Sequence, residues 1–348
     1  VLLGTSASRM ILGFMVATAF LSMWISNTAT SVMMLPIGMA IVGQFRDHPG
    51  MGPERHRTFG KALMLGIAYS ASIGGMATLI GTPPNLVLAG VVAEQYGIEI
   101  TFAQWFMVGL PVSIVLLGIC WYYLVCVVFS IERAPMPGGR TEIRRQLAEL
   151  GPLSIEERRV LVVFGLTALA WIGRSFVLKP LIPQIDDTII GMAGAIALFV
   201  LPASAEKKTA LLDWPTAVTL PWGILLLFGG GLAIATGFQA TGLAGWIGQQ
   251  MTLLDGISLL LLLLLLIASV NLLTEITSNI ATTAMILPVL AAMAITLDVH
   301  PFLLMVGATV AASCAFMLPV ATPPNAVVFG SGYLSIPDMM RAGVGLNL

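Results

Sequence analysis

Charge is the scarcest property of this sequence. Asp, Glu, Lys and Arg make up 9% of its 348 residues, against about 25% in soluble domains, too few to cover a water-facing surface. The net charge is −1, so no basic face is available to a nucleic-acid backbone and nucleic acid is excluded as a partner. Histidine and cysteine occur three times each. His48, His56 and His300 fall in loops without partner spacing, and no zinc-site spacing occurs. Cys120, Cys126 and Cys314 lie inside apolar runs, where they read as packing residues. Val1 to Ser8 lack the charged start and cleavage site of a signal peptide. What is abundant is apolar: 57% of residues are hydrophobic and mean hydropathy is +0.96. An all-α polytopic membrane protein is predicted.

One stretch occurs twice. Ser26-Asn27-Thr28-Ala29-Thr30-Ser31-Val32-Met33-Met34-Leu35-Pro36 aligns without a gap with Ser278-Asn279-Ile280-Ala281-Thr282-Thr283-Ala284-Met285-Ile286-Leu287-Pro288, at an offset of 252. Downstream of each copy lies a second shared motif, Thr82-Pro83-Pro84-Asn85 and then Thr322-Pro323-Pro324-Asn325, at an offset of 240. Two motifs in the same order in each half point to internal duplication. In so apolar a chain, duplication points to a secondary transporter, whose binding site sits where helices of both halves are interrupted.

Residues 10–45 are uncharged between Arg9 and Arg46. From Arg9 to Ser26 a helix rises ~26 Å, so 10–45 reads as a re-entrant hairpin whose tip is buried in protein, because unpaired backbone in lipid is costly. A polar stretch with Arg55, Arg57 and Lys61 leads to an apolar helix over 62–94, broken at Gly81-Thr82-Pro83-Pro84-Asn85 by two prolines. Together 1–100 form the first repeat core. Residues 101–213 hold the connecting spans, Trp105 to Phe129, Val160 to Phe176 and Thr188 to Leu201. They also hold a charged cytoplasmic connection, Ile131 to Arg159, with a short surface helix and a Pro137-Gly138-Gly139 break. Residues 214–348 form the second repeat, with a span over 222–238, a hairpin over 257–297 and a broken helix over 301–333. Gly229-Gly230-Gly231 inside the span signals close packing or a break. Ala29 and Ile280 are expected to begin the second arms of the hairpins. Trp105, Trp121, Trp171, Trp214 and Trp222 near span ends read as interface anchors.

Opening the first hairpin to the cytoplasm puts fourteen of the sixteen Lys and Arg residues inside, with only Arg174 and Lys179 outside, as cytoplasmic loops require. The same order turns the second hairpin to the opposite side. The halves are therefore inverted, the arrangement alternating access uses. By that symmetry the first half lacks its opening spans and the second its last, so the chain is expected to be truncated at both ends.

Trp24-Ile25-Ser26-Asn27-Thr28-Ala29-Thr30, the second Ser278-Asn279, both Thr-Pro-Pro-Asn breaks, Phe228-Gly229-Gly230-Gly231 and the final Asn347-Leu348 resemble the divalent anion/sodium symporter family, over essentially the whole chain. The resemblance implies a homodimeric elevator in the inner membrane that binds sodium ions and a carboxylate substrate between the two tips. It assigns one sodium site to Ser22, Ser26, Asn27 and Gly81, and the other to Thr274, Thr277, Asn279 and Ala321. It places the substrate carboxylates against Ser26, Asn27, Thr28, Thr82, Ser278, Asn279, Thr322 and Pro323. Hydroxyls, amides and broken-helix carbonyls suit a hard cation, and hydroxyls with helix N-termini suit an anion. No Lys or Arg lies near this site, leaving sodium to supply positive charge and, by binding first, to build the anion site.

Ile280 departs from the hydroxyl expected at the third motif position, which opens substrate choice to another dicarboxylate or a smaller anion such as sulfate. Glu275 is the only acid inside an apolar hairpin, and its repeat counterpart is Met23. It either fastens the tip by accepting backbone amides or carries a proton or cation. The function expected is sodium-coupled transport of a di- or tricarboxylate across the membrane. The alternatives are an oxyanion such as sulfate, or sodium-independent exchange. An intramembrane enzyme is disfavoured because Ser26 and Ser278 have no His or Lys in their apolar segments. A passive channel is disfavoured by the paired, gate-like motifs.

Overall fold

The computed structural model describes residues 6–45, 52–131, 145, 148, 151–203, 209–220, 222–243, 246 and 258–347. The Pro137-Gly138-Gly139 break and the charged residues Arg46, Arg133, Arg140, Arg144, Lys207 and Lys208 lie outside them. So does the greater part of the expected surface helix. Among the described residues the fold is helical, apart from one isolated bridge between Pro202 and Ala210.

The first duplicated stretch forms a helical hairpin, α1 (Ala7–Ser22) and α2 (Asn27–Gln44). The second arm begins at Asn27, two residues earlier than expected, because Ser26 caps it by accepting the Ala29 amide at 3.3 Å. The broken helix is α3 (Pro53–Gly75) and α4 (Pro83–Tyr96). It starts nine residues before the apolar run: Pro53 occupies the first helical position and Glu54 the first turn, so the charged stretch is a solvated helix start and not a loop. Next come α5 (Phe102–Tyr122), continued as π-helix to Val128, and α6 (Ile155–Gly173), continued as π-helix to Leu178 and a last turn to Leu181. As continuous helices, Phe102–Val128 and Ile155–Leu181 are long and apolar enough to cross a bilayer. Then follow α7 (Asp187–Val200) and α8 (Gly223–Ala240). Helix α8 runs unbroken through the triple glycine, and Gly231 faces Ala284, so close approach is what glycine provides there.

The second half repeats the first: hairpin α9 (Leu259–Thr274) and α10 (Asn279–Thr296), broken helix α11 (Pro301–Ser313) and α12 (Pro323–Phe329), then α13 (Ile336–Asn347). The arm starts at Asn279, one residue before Ile280.

The two halves interlock. Helix α12 packs on α2 and α3, while α4 packs on α10 and α11. Each hydrophobic core is consequently built from both halves. One joins Ile11, Met15, Ile41, Leu63 and Ile67 of the first half to Phe316, Val328 and Met339 of the second. The other joins Leu287, Leu290, Leu304 and Ala308 of the second half to Val87, Leu88 and Val92 of the first. Neither hairpin can leave its own broken helix without disturbing the other half. Arms this close are possible because of small residues: Gly74 lies so near the Ala19 backbone that a side chain there would overlap it.

Candidate functional site

Each hairpin tip is tied to the break of its own half through the same chemistry. In the first half Ser22, fully buried, donates to the carbonyl of Ala71 at 2.7 Å. The Asn27 side chain reaches the same place, 2.7 Å from Ser22 Oγ, 3.1 Å from Ala71 O and 3.2 Å from Gly81 O. With its amide nitrogen toward these oxygens Asn27 donates to them; with its carbonyl toward them, four oxygens converge around the single Ser22 hydroxyl proton, which cannot serve them all as a cation would. Gly75 makes room, since a Cβ there would lie 3.0 Å from both Asn27 Cγ and Nδ2 and closer still to Oδ1. In the second half Thr274, fully buried, stands 2.7 Å from Asn279 Oδ1 and 2.9 Å from Ala312 O. One hydroxyl proton serves only one of these acceptors. Thr274 and Asn279 occupy the same repeat positions as Ser22 and Asn27.

The breaks are held by their terminal asparagines. Asn85 donates to Met76 O at 3.3 Å and Thr78 O at 2.7 Å. Asn325 donates to Ala315 O and Leu318 O, both at 3.0 Å. Both asparagines are fully buried. Broken helices leave carbonyls without intrahelical donors, and one amide group per break satisfies two of them.

Of the residues expected to bind sodium, the structure thus brings Ser22, Asn27 and Gly81 together in one half, and Thr274 with Asn279 in the other. Ser26 is exposed and spends its hydroxyl as the cap of α2. Thr277 bonds instead to Leu273 O at 2.8 Å and Thr282 Oγ1 at 2.5 Å. Ala321 is buried in the second break, its amide donating to Leu318 O at 3.2 Å. Among the expected substrate contacts, Thr28 and Ser278 are exposed at the tips, and Ser278 makes no side-chain cap bond. Thr82 and Thr322 are buried N-caps of α4 and α12, and Pro323 is exposed at the first position of α12. The Ile280 side chain packs against the second core. Glu275 is buried and accepts the backbone amides of Phe316, Met317 and Leu318.

Several contributors escape a reading by residue type. Ala71 and Ala312 act through carbonyls alone. Trp105, expected at a membrane interface, is buried and donates to Met76 O at 3.0 Å, beside Ser113, which donates to Ile73 O at 2.9 Å. Arg174 is buried. It pairs with Glu99 at 2.6 Å and lies 3.1 Å from Asp187, while its Nε donates to Ile185 O. The indole of Trp24, next to the first tip, stacks on Phe102, which stacks on Trp171 of α6.

The sequence matches, over residues 1–348, the family model described as the sodium:sulfate symporter transmembrane region. A sodium-dependent dicarboxylate transporter, SdcS, of Staphylococcus saprophyticus is 48% identical over 99% of this chain and 68% of its own length. SdcS of Staphylococcus aureus (strain USA300) is 47% identical over 100% of this chain and 68% of its own. Duplicated Ser-Asn tips, paired Thr-Pro-Pro-Asn breaks and whole-chain similarity agree, and the chain belongs to the sodium:sulfate symporter family, the divalent anion/sodium symporters.

Proposed function

We propose that this chain carries out sodium-coupled transport of a dicarboxylate of the succinate and malate class across the bacterial inner membrane. It is not an enzyme. The observation that supports this most is the repeated hydroxyl–asparagine–carbonyl cluster: Ser22, Asn27 and Ala71 O in one half, Thr274, Asn279 and Ala312 O in the other. Neutral oxygens at a helix break suit a hard monovalent cation such as sodium. Placed there, sodium sits at the start of α2 and α10, whose free amides carry partial positive charge. An entering dianion then meets two cations and two helix N-termini in a region without Lys or Arg. Hydroxyls and amides of Ser26, Asn27, Thr28, Thr82, Ser278, Asn279 and Thr322 supply its hydrogen bonds. Sodium therefore binds first, and the anion site is complete only when both cations are in place.

In this reading both hairpins are re-entrant, the halves are inverted about the membrane midplane, and the interlocked hairpin–break unit moves as one body against residues 101–213 in a homodimeric elevator. The interlocking of the cores supports such a unit, because tips and breaks cannot separate without opening both cores. The deciding experiment is uptake of radiolabelled succinate into proteoliposomes under an inward sodium gradient and with choline replacing sodium. Saturable uptake only with sodium supports the proposal. Uptake of sulfate but not succinate retains coupling and overturns the substrate class, with Ile280 as the residue to restore to threonine. Succinate flux indifferent to sodium overturns coupling.

A further inference from the structure

Glu275 breaks the symmetry of the two halves. Its repeat counterpart is Met23, yet it is buried, and all its hydrogen-bond partners are donors. Phe316 N at 2.7 Å, Met317 N at 2.9 Å and Asn347 Nδ2 at 2.6 Å donate to Oε1, and Leu318 N at 2.9 Å donates to Oε2. In an uninterrupted helix those three backbone amides would bond four residues back, to Ala312 O, Ser313 O and Cys314 O. Helix α11 instead stops at Ser313, whereas α3 runs to Gly75, two residues further in the repeat register. The carboxylate takes the donors that would close the next helical turn. Ala312 O, released from Phe316 N, faces Thr274 Oγ1 at 2.9 Å, and Cys314 O is taken by Asn271 Nδ2 at 2.7 Å. In the first half the corresponding job falls to a neutral group: Thr78 Oγ1 donates to Met23 O at 2.5 Å and accepts Gly81 N at 3.0 Å.

We propose that Glu275 is a positioning residue for the second sodium site, holding residues 316–318 unwound so that Ala312 O stays available as a cation ligand. The inference rests on the sodium-coupling reading above. It makes the two sites chemically unequal: the second contains a carbonyl kept free by a buried carboxylate, and it lies beside a negative charge that the first lacks. Glu275 touches neither ion nor substrate. Glu275→Gln keeps the shape but offers one acceptor oxygen in place of two and no charge, so at least one of the three amides faces an amide nitrogen and the hold on the unwound turn beside Ala312 O is weakened.

The test is the sodium dependence of thermal unfolding of the purified protein in detergent, with potassium as control, alongside the sodium concentration giving half-maximal succinate uptake. Glu275→Gln is expected to raise the half-saturating sodium concentration about five- to tenfold, the lower range of coupling between sites, while uptake at saturating sodium persists. Glu275→Asp, which retains the charge at shorter reach, is expected to fall between the two and provides the measurement if the Gln variant does not fold. Unmodified half-saturation in both variants, with only a lowered melting temperature, overturns the proposal. So does a pH dependence of uptake that vanishes in Glu275→Gln, which assigns proton carriage. Unmodified protein that gains no stability from sodium counts against sodium coupling itself, a separate failure.

Discussion

Replacing Gly75 by alanine puts a methyl carbon on the Asn27 amide. An ideal Cβ at Gly75 comes within 3.0 Å of Cγ and Nδ2 of Asn27 and closer to Oδ1, well inside van der Waals contact. Neither partner can yield cheaply. Gly75 is the last residue of α3, flanked by buried Gly74 and Met76, and Asn27 is fixed by Ser22, Ala71 and Gly81. Overpacking of this kind costs about 1–3 kcal/mol. If Asn27 moves to relieve it, the first oxygen cluster loses its amide, and the hydrogen bonds lost are worth roughly 1 kcal/mol each. A cation affinity reduced by about 1.4–3 kcal/mol corresponds to roughly a 10- to 150-fold higher half-saturating sodium concentration for uptake. Gly118→Ala is the matched control, since nothing lies within 4 Å of its added carbon on α5. That change is expected to leave transport intact and to stabilise the helix by about 0.5–1 kcal/mol. Proteoliposome uptake titrated with sodium reads the first effect, and detergent melting curves read the second. Gly75→Ala with an unmodified sodium titration would refute the placement of Asn27 at the cation cluster.

Other substitutions test the supports around that cluster. Asn325→Leu removes the donor shared by Ala315 O and Leu318 O; Leu318 O keeps the Ala321 amide, and the unpaired Ala315 carbonyl costs about 1–3 kcal/mol. A lowered melting temperature is expected, and an unchanged one contradicts the pinning role. Arg174→Met strands Asp187 and Glu99. Because the Glu99 side chain is 51% exposed and rehydrates, the expected loss is about 2 kcal/mol, below the 3–5 kcal/mol of a fully buried pair. Thermal melts decide it, with Glu99→Gln expected to cost less.

What was legible in the sequence follows from what the chemistry demands of side chains. A cation site made from hydroxyls and amides must write Ser, Thr and Asn into an apolar run, and duplication writes them twice. Asn27 and Asn279 stand out as members of the duplicated stretch, Ser22 and Thr274 come from the family resemblance, and Pro83-Pro84 and Pro323-Pro324 announce the breaks because proline cannot donate. Ala71 and Ala312 leave no residue signature because each acts through its carbonyl; the break frees Ala312 O, whereas Ala71 O lies within α3 and is reached by the packing of the tip against it. Trp105 reads as an interface anchor because position near a span end suits a lipid interface as well as a buried contact. Its partner, Met76 O, lies at the end of another helix. The early start of α3 was hidden by its charges, which suit a helix end facing water as well as a loop. Thr277 shows the converse: its residue type fits a cation site, but local bonds to Leu273 O and Thr282 claim its hydroxyl.

The central claim is that both halves build one sodium-coupled site through equivalent asparagines. The most direct measurement compares sodium-driven succinate uptake by Asn27→Ala, by Asn279→Ala and by the unmodified protein, each shown to be folded by its melting curve. Loss of sodium-dependent uptake in both variants, with folding retained, is the predicted result. Full activity in either variant would contradict the account, because one half would then suffice.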